Sequence, residues 1–481
     1  MNVTIFGLIV MSLALFLSLR SSSSLLRLGI CMLPFGMGAV MIVGGLSILA
    51  VSATCALLVI VTLAKVLQTN PARLFQISTP GAVLLLFAFY ALFSLLVPLQ
   101  IFEGTFLVFP LSRGDGGYRV SEDFTSTVSY LSFGSSNIAQ LVYIALSVAI
   151  FCTVRYITTE KSVQNIHHSI VMAAAINILL GLINFIGLDT ILVPVKTATY
   201  ALLDDHYMMG YRRVIGGFSE ASAYSGFSVT IAAYLLVYGV TEKSIVEIVF
   251  GLVQSILVFL TFSTTGYLGL VALAIFGIGY FVWNSVQAGH SKAESIALNI
   301  FVLFSIATFI TVLVVPSLNS LLIDTIDSLF LSKADSQSGL ERKAWADYSI
   351  AAFQQSYWLG AGVGSIRSNG LFHSIIGSMG IPGILIYLWF LKSIFDDFRF
   401  YLKTKTHDTY TGIVFAVSAA LIVQLAMRGV SQTTPDPGVM FMILAGILSG
   451  LSRKLPVKNR ETPASSSMCA ADNRYSRCAL E

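Results

Sequence analysis

The chain has 481 residues, of which 56% are hydrophobic and 11% charged; soluble domains run nearer 45–50% and about 25%. That composition excludes a water-soluble globule, a disordered chain and a collagen-like fibre, and it supplies apolar length for roughly a dozen bilayer spans of about 20 residues. A net charge of +4 gives no sign of a nucleic-acid partner.

The expected fold is an all-α polytopic membrane protein of 12–13 transmembrane helices. The ~10-residue alternation of an outer-membrane barrel is missing. Spans are expected near 2–19, 28–67, 81–102, 136–156, 166–187, 220–240, 244–263, 265–284, 296–316, 372–394, 410–428 and 435–452. The run 28–67 is twice a span's length, with Gly44-Gly45 at its midpoint. Two helices fit it best and give thirteen spans; a re-entrant piece would give twelve. Met1 to Arg20 lacks a basic leader region and reads as a first span.

One integral membrane domain is expected over 1–451, followed by a cytoplasmic tail over 452–481 with disorder-prone Ala464-Ser465-Ser466-Ser467. Lys and Arg favour the cytoplasmic side. Arg453, Lys454, Lys458 and Arg460 place the tail there, and Arg399, Lys403 and Lys405 place the segment 395–409 on the same side. Three long connections, 103–135, 188–219 and 317–371, then face outward. Long connections are usually functional or disordered. These three carry Trp, Tyr and patterned Gly rather than low-complexity sequence.

The second outer loop ends in His206, Tyr207, Tyr211, Arg212, Arg213 and Glu220. Two adjacent arginines outside go against the positive-inside rule, so they need another reason. An anionic ligand is one, since Arg offers a fork of donors; pairing with Asp204, Asp205 or Glu220 is the other. In the third loop, Gly339 to Phe353 suits a helix lying in the interface plane, with Arg342, Trp345, Ser349 and Phe353 at helical spacing. Trp358 follows, then Gly360, Gly362 and Gly364 ahead of Arg367. The alternate glycines permit a tight turn or amide donors for an anion.

His373 opens the next span. It is either an interfacial His bonded to backbone or a general base. Arg428 ends another span, as a snorkelling anchor or as a functional ionisable group. Asp396-Asp397 is expected to be a salt-bridged turn. His167-His168 begin a span without metal partners. The five cysteines form no CxxC, so neither a disulfide nor a zinc site is expected, and no metal or cofactor is required.

The pattern Arg342-x-x-Trp345, Gly360-x-Gly362-x-Gly364, His373 and Gly380-Ile381-Pro382-Gly383 resembles the O-antigen ligase and Wzy-type polymerase superfamily. The stretch from Arg213 through Gly216-Gly217 and Glu220 to Tyr224 is similar to that group's preceding outer loop. The resemblance covers about 200–383. It implies a GT-C-like glycosyltransferase with large periplasmic loops in a bacterial inner membrane. Its donor is a glycan on undecaprenyl pyrophosphate, and no cofactor is implied. Arg212 or Arg213, and Arg342, occupy the places of pyrophosphate-binding arginines; Arg367 and Arg428 are further candidates. His373 occupies the place of the base, with Glu220 as the alternative. Trp345, Trp358 and Tyr211 are candidates to stack on sugar rings. Some polymerases keep a fixed Arg-to-Gly separation in both loops; Arg213 to Gly226 and Arg342 to Gly360 are both longer.

A sugar on a polyprenyl pyrophosphate is already activated. Arginines can therefore stabilise the departing charge without a nucleotide or metal, while an acceptor hydroxyl attacks C1 with inversion. The expected function is a polymerase of lipid-linked repeat units, with chain-length regulator and export proteins as further partners. A ligase to another acceptor is the alternative. A lipid-glycan flippase is the alternative from another class, but it should put polar groups at the midplane and keep its outer loops short.

Overall fold

The computed structural model describes residues 2–43, 46–72, 77–111, 117–122, 124–160, 163–199, 207–208, 211–288, 337–404 and 410–452. Most of them are helical. Among the described residues seven helices, between Ala50–Thr69 and Thr411–Ser431, are long and apolar enough to cross a membrane, and four shorter apolar helices accompany them. The chain is a membrane-embedded, multi-pass protein. The expected span at 296–316 and nearly all of the tail lie outside the described residues.

The N-terminal part departs from expectation. Helix α1 (Ile5–Arg20) is capped by Thr4, whose Oγ1 accepts from Gly7 N at 2.8 Å, and α2 (Ser22–Cys31) is capped by Ser21. Within the run 28–67, residues 39–43 and 46–49 are then strand. β1 (Asn2–Val3), β2 (Ala39–Val43) and β3 (Leu46–Leu49) form an antiparallel sheet in that order, and only α3 (Ala50–Thr69) is a full-length helix. Val40, Ile42, Val43 and Ile48 are β-branched, and a turn-prone Gly pair separates the two halves. The ladder pairs their backbone groups as a helix would.

Helix α4 (Thr79–Leu96) breaks at Pro98 and resumes as α5 (Pro98–Phe102). Short pairs β4 (Leu107–Val108) with β5 (Ser129–Tyr130), and β6 (Tyr207–Met208) with β7 (Tyr211–Arg212), punctuate the loops. The remaining helices are α6 (Ser135–Glu160), α7 (Gln164–Phe185), α8 (Ala221–Glu242), α9 (Ile245–Phe259), α10 (Thr264–Ala288), α11 (Gln337–Gln355), α12 (Leu371–Thr404), α13 (Thr411–Ser431) and α14 (Val439–Ser452). Asp396-Asp397 is not a turn. Helix α12 continues through it, with Asp396 paired to Lys392 at 2.6 Å one turn back.

Helix α12 is broken at Gly380, whose φ is +59°. Ile381 N donates to Trp358 O at 2.9 Å instead of to Gly377 O, and Pro382 has no N–H to give Ser378 O. Both freed carbonyls find donors in the glycine-rich segment: Ala361 N reaches Gly377 O at 2.8 Å and Gly362 N reaches Ser378 O at 2.9 Å. Gly360, at φ +87°, is required there, because a Cβ would stand 2.6 Å from Met379 N.

These contacts fix which loops meet. Arg367 N donates to Phe109 O, Ser368 N donates to Thr433 O, and Gly364 lies against Ser136. The connections after α5, before α12 and after α13 therefore gather at one end of the bundle. At the opposite end Glu242 accepts from Gly412 N at 3.1 Å, joining the foot of α8 to that of α13.

Candidate functional site

Folded proteins rarely leave buried polar atoms unpaired. Among the described residues ten buried side-chain polar atoms lack a hydrogen-bond partner, and six of them fall between Trp345 and Gln424: Trp345 Nε1, Ser368 Oγ, His373 Nδ1, Ser378 Oγ, Tyr387 OH and Gln424 Oε1. They lie on α11, α12, α13 and the glycine-rich segment. Each such atom is a place where an ordered water or a ligand would complete the bonding.

Two of the expected residues, Trp345 and Arg367, meet, and His373 stands on the first turn of α12. A Cβ built on Gly370 would sit 3.3 Å from His373 Nδ1 and 2.6 Å from Gly429 O, so the turn that leads into α12 packs on the end of α13. His373 Nδ1 has no backbone partner, which removes the reading of a backbone-bonded interfacial His. Arg367 lies over the Trp345 ring at 5.1 Å and donates to Leu111 O at 3.3 Å. That stack leaves the Trp345 Nε1 donor unused.

Arg428 is not a snorkelling anchor. Its Nη1 donates to Gln432 Oε1 at 3.1 Å and to Asp436 O at 3.4 Å, and its guanidinium lies 6.0 Å over the Phe441 ring. The Tyr387 hydroxyl and the Asp436 carboxylate are within its electrostatic reach. Asp436 accepts from Ser147 Oγ at 2.7 Å and from Gly438 N at 3.2 Å. Burial pushes its carboxyl above the usual carboxylate range, against the opposing pull of Ser147, the Gly438 amide and Arg428. Nothing in the sequence points to Tyr387 or Ser147, and for Asp436 the one signal is an acid between two prolines, Pro435 and Pro437, eight residues after an Arg at a span's end.

Arg212 and Arg213 form a separate group, with no contact to Arg428 among the described residues. Arg212 pairs with Asp189, not with Glu220; Asp204 and Asp205 lie outside the described residues. Burial acts to raise the Asp189 carboxyl, but the Asn184 amide and Arg212 outweigh it and hold it below the usual range. Lys196 stands near the same acid, and burial lowers its ammonium pKa. Arg212 Nε has no partner. Arg213 donates to Thr261 O at 2.9 Å, closing the end of α9. Tyr211 is exposed and stacks on Phe262 at 6.1 Å. Glu220 sits just before α8 and accepts from Ser222 Oγ at 2.6 Å. No contact links it to His373.

Helix α11 does not lie free in an interface. Ser349 packs against Gly377 of α12, while Glu341 accepts from Ser126 N at 2.7 Å and from Thr125 Oγ1 at 3.0 Å. Arg342, next to Glu341, is half-buried and has no partner among the described residues. Trp358 is 60% exposed and held at φ +68°. The amides of Ala361 and Gly362 are spent on α12, that of Gly360 on Ser356 Oγ and that of Val363 on Ser94 Oγ, so the glycine run is a docking segment and not an anion nest. Among the described residues no cluster of three or more His, Cys, Asp or Glu could hold a metal.

No family model matches the chain, and no curated protein is similar to it.

Proposed function

We propose that this chain is a membrane glycosyltransferase of the bacterial inner membrane. It joins undecaprenyl-pyrophosphate-linked oligosaccharide repeat units on the periplasmic face. The observation that carries the reading is the unpaired His373 Nδ1 at the first turn of α12, where Gly370 packs on the end of α13 that carries Arg428. A base without a partner among the described residues, on a turn packed against a helix end that carries a cation, suits acceptor activation and charge stabilisation.

In this reading the acceptor hydroxyl gives its proton to His373 Nδ1 while its oxygen bonds to the donor's C1. The C1–oxygen bond to pyrophosphate breaks with inversion, and the leaving group takes the electron pair. Arg342, with no partner among the described residues, and Arg428 stabilise that negative charge. Trp345 and Trp358 offer ring faces to sugars.

The test is analysis of carrier-linked glycans after deletion of the gene. Single repeat units without a ladder are expected, and a His373→Ala copy should fail to restore the ladder. Long chains accumulating on the carrier would mean that the enzyme is a ligase. An unchanged ladder would overturn both.

A further inference from the structure

The last turns of α12, at the end of the bundle away from the glycine-rich segment, present two opposite faces. Ile394, Asp397 and Tyr401 are buried and recur at helical spacing. Asp397 accepts from Ser449 Oγ at 2.6 Å, and Tyr401 OH lies 3.2 Å from Thr411 Oγ1, so this face is held to α14 and α13. Lys392, Phe395, Arg399 and Lys403 recur at the same spacing on the other side, and all four are exposed. Phe400 stands beside them, also exposed.

The exposed face is unbalanced in charge. Its one acid, Asp396, is paired with Lys392 at 2.6 Å. Arg399 lies over the Phe395 ring at 5.8 Å, and neither Arg399 nor Lys403 forms a hydrogen bond or an ion pair among the described residues. Depth follows from length. The stretch 374–391 carries no charged residue and runs about 27 Å as helix, close to the roughly 30 Å of hydrocarbon in a bilayer. The turns from Lys392 onward therefore reach the headgroup layer.

We propose that this face of α12 binds the anionic phosphodiester headgroups of the bilayer's own lipids. Arg399 and Lys403 meet the phosphates, and the rings of Phe395 and Phe400 enter the acyl boundary beside them. Basic side chains among aromatic rings at headgroup depth match such a lipid in both charge and position. An acidic protein would match the charges alone. Lipid binding here is independent of the reaction that the chain performs.

The experiment is native mass spectrometry of the purified full-length chain, given phosphatidylglycerol and phosphatidylcholine with the same acyl chains. The wild type should retain phosphatidylglycerol in preference, and the preference should fall as salt is raised. Each basic side chain near an anionic surface contributes about fivefold in affinity. The double variant Arg399→Gln/Lys403→Gln should therefore bind phosphatidylglycerol about 25-fold more weakly, with phosphatidylcholine binding unchanged. Asp396→Asn frees Lys392 and should strengthen phosphatidylglycerol binding, a gain that misfolding cannot produce. A wild type that holds both lipids equally, a double variant with wild-type affinity, or an Asp396→Asn variant that gains nothing overturns the assignment.

Discussion

Both ends of the bundle bury polar groups, but they treat them differently. At the foot of α7, α8 and α9, His167 Nδ1 meets Tyr234 OH at 3.1 Å, its Nε2 meets Glu247 at 3.1 Å, and its ring stacks on Tyr238 at 3.8 Å. Nearby on that side, Ser449 bridges Asp397 and Arg155. Those groups answer one another. At the other end His373 Nδ1, Ser368 Oγ and Trp345 Nε1 answer nothing. Two histidines at span boundaries look equivalent in the sequence. One ties helices together, and the other buries its Nδ1 without a partner among the described residues.

Swapping the two histidines for alanine tests that contrast directly. His373→Ala should slow transfer by about 10²–10⁴-fold, the range of general acid–base catalysis, with the thermal midpoint nearly unchanged. A large loss of stability with intact transfer would reverse the assignment. Gly360→Ala should act on the frame of the open end. The φ of +87° costs about 1–3 kcal/mol in a non-glycine residue, and the clash is with backbone that cannot swing away. Low yield of folded protein is expected, and normal yield and melting would show that the segment does not need its close approach to α12. His167→Ala should do the reverse of His373→Ala. It should cost about 2–3 kcal/mol by leaving Tyr234 and Glu247 without their partner, while turnover at permissive temperature is retained.

The smallest effect is expected at Asp189. Its carboxyl is held below the usual value, so its contribution to stability is present above the unfolded pKa of about 3.9 and is lost as the pH falls through the lower folded value. Asp189→Asn should change stability by less than about 1 kcal/mol, since the pair is partly exposed. Melting curves should show a wild-type-minus-mutant difference that is flat from neutral pH down to about pH 4 and shrinks below it. A difference that fades well above pH 4 would contradict the assigned shift.

The helices were legible because long apolar runs leave few alternatives in lipid. The strands at 39–49 were not, because a hydrophobic run of β-branched residues reads alike as buried strand and as span. The arginines were found by being out of place. Their partners were missed: Asp189 lies 23 residues before Arg212, and Asp436 belongs to a short turn that hydropathy passes over. His373 was found by position, but sequence offered no sign that its Nδ1 is unpaired. That depends on which groups pack around the ring.

The exchange of hydrogen bonds at Gly380 has a consequence for opening. The amides of Ala361, Gly362 and Ile381 hold the glycine-rich segment and α12 to each other, so neither can loosen alone without stranding the other's carbonyls. In hydrogen–deuterium exchange these three amides should share one protection level. The segment carrying Trp358 and Arg367 and the helix carrying His373 and Tyr387 then open and close as a single unit.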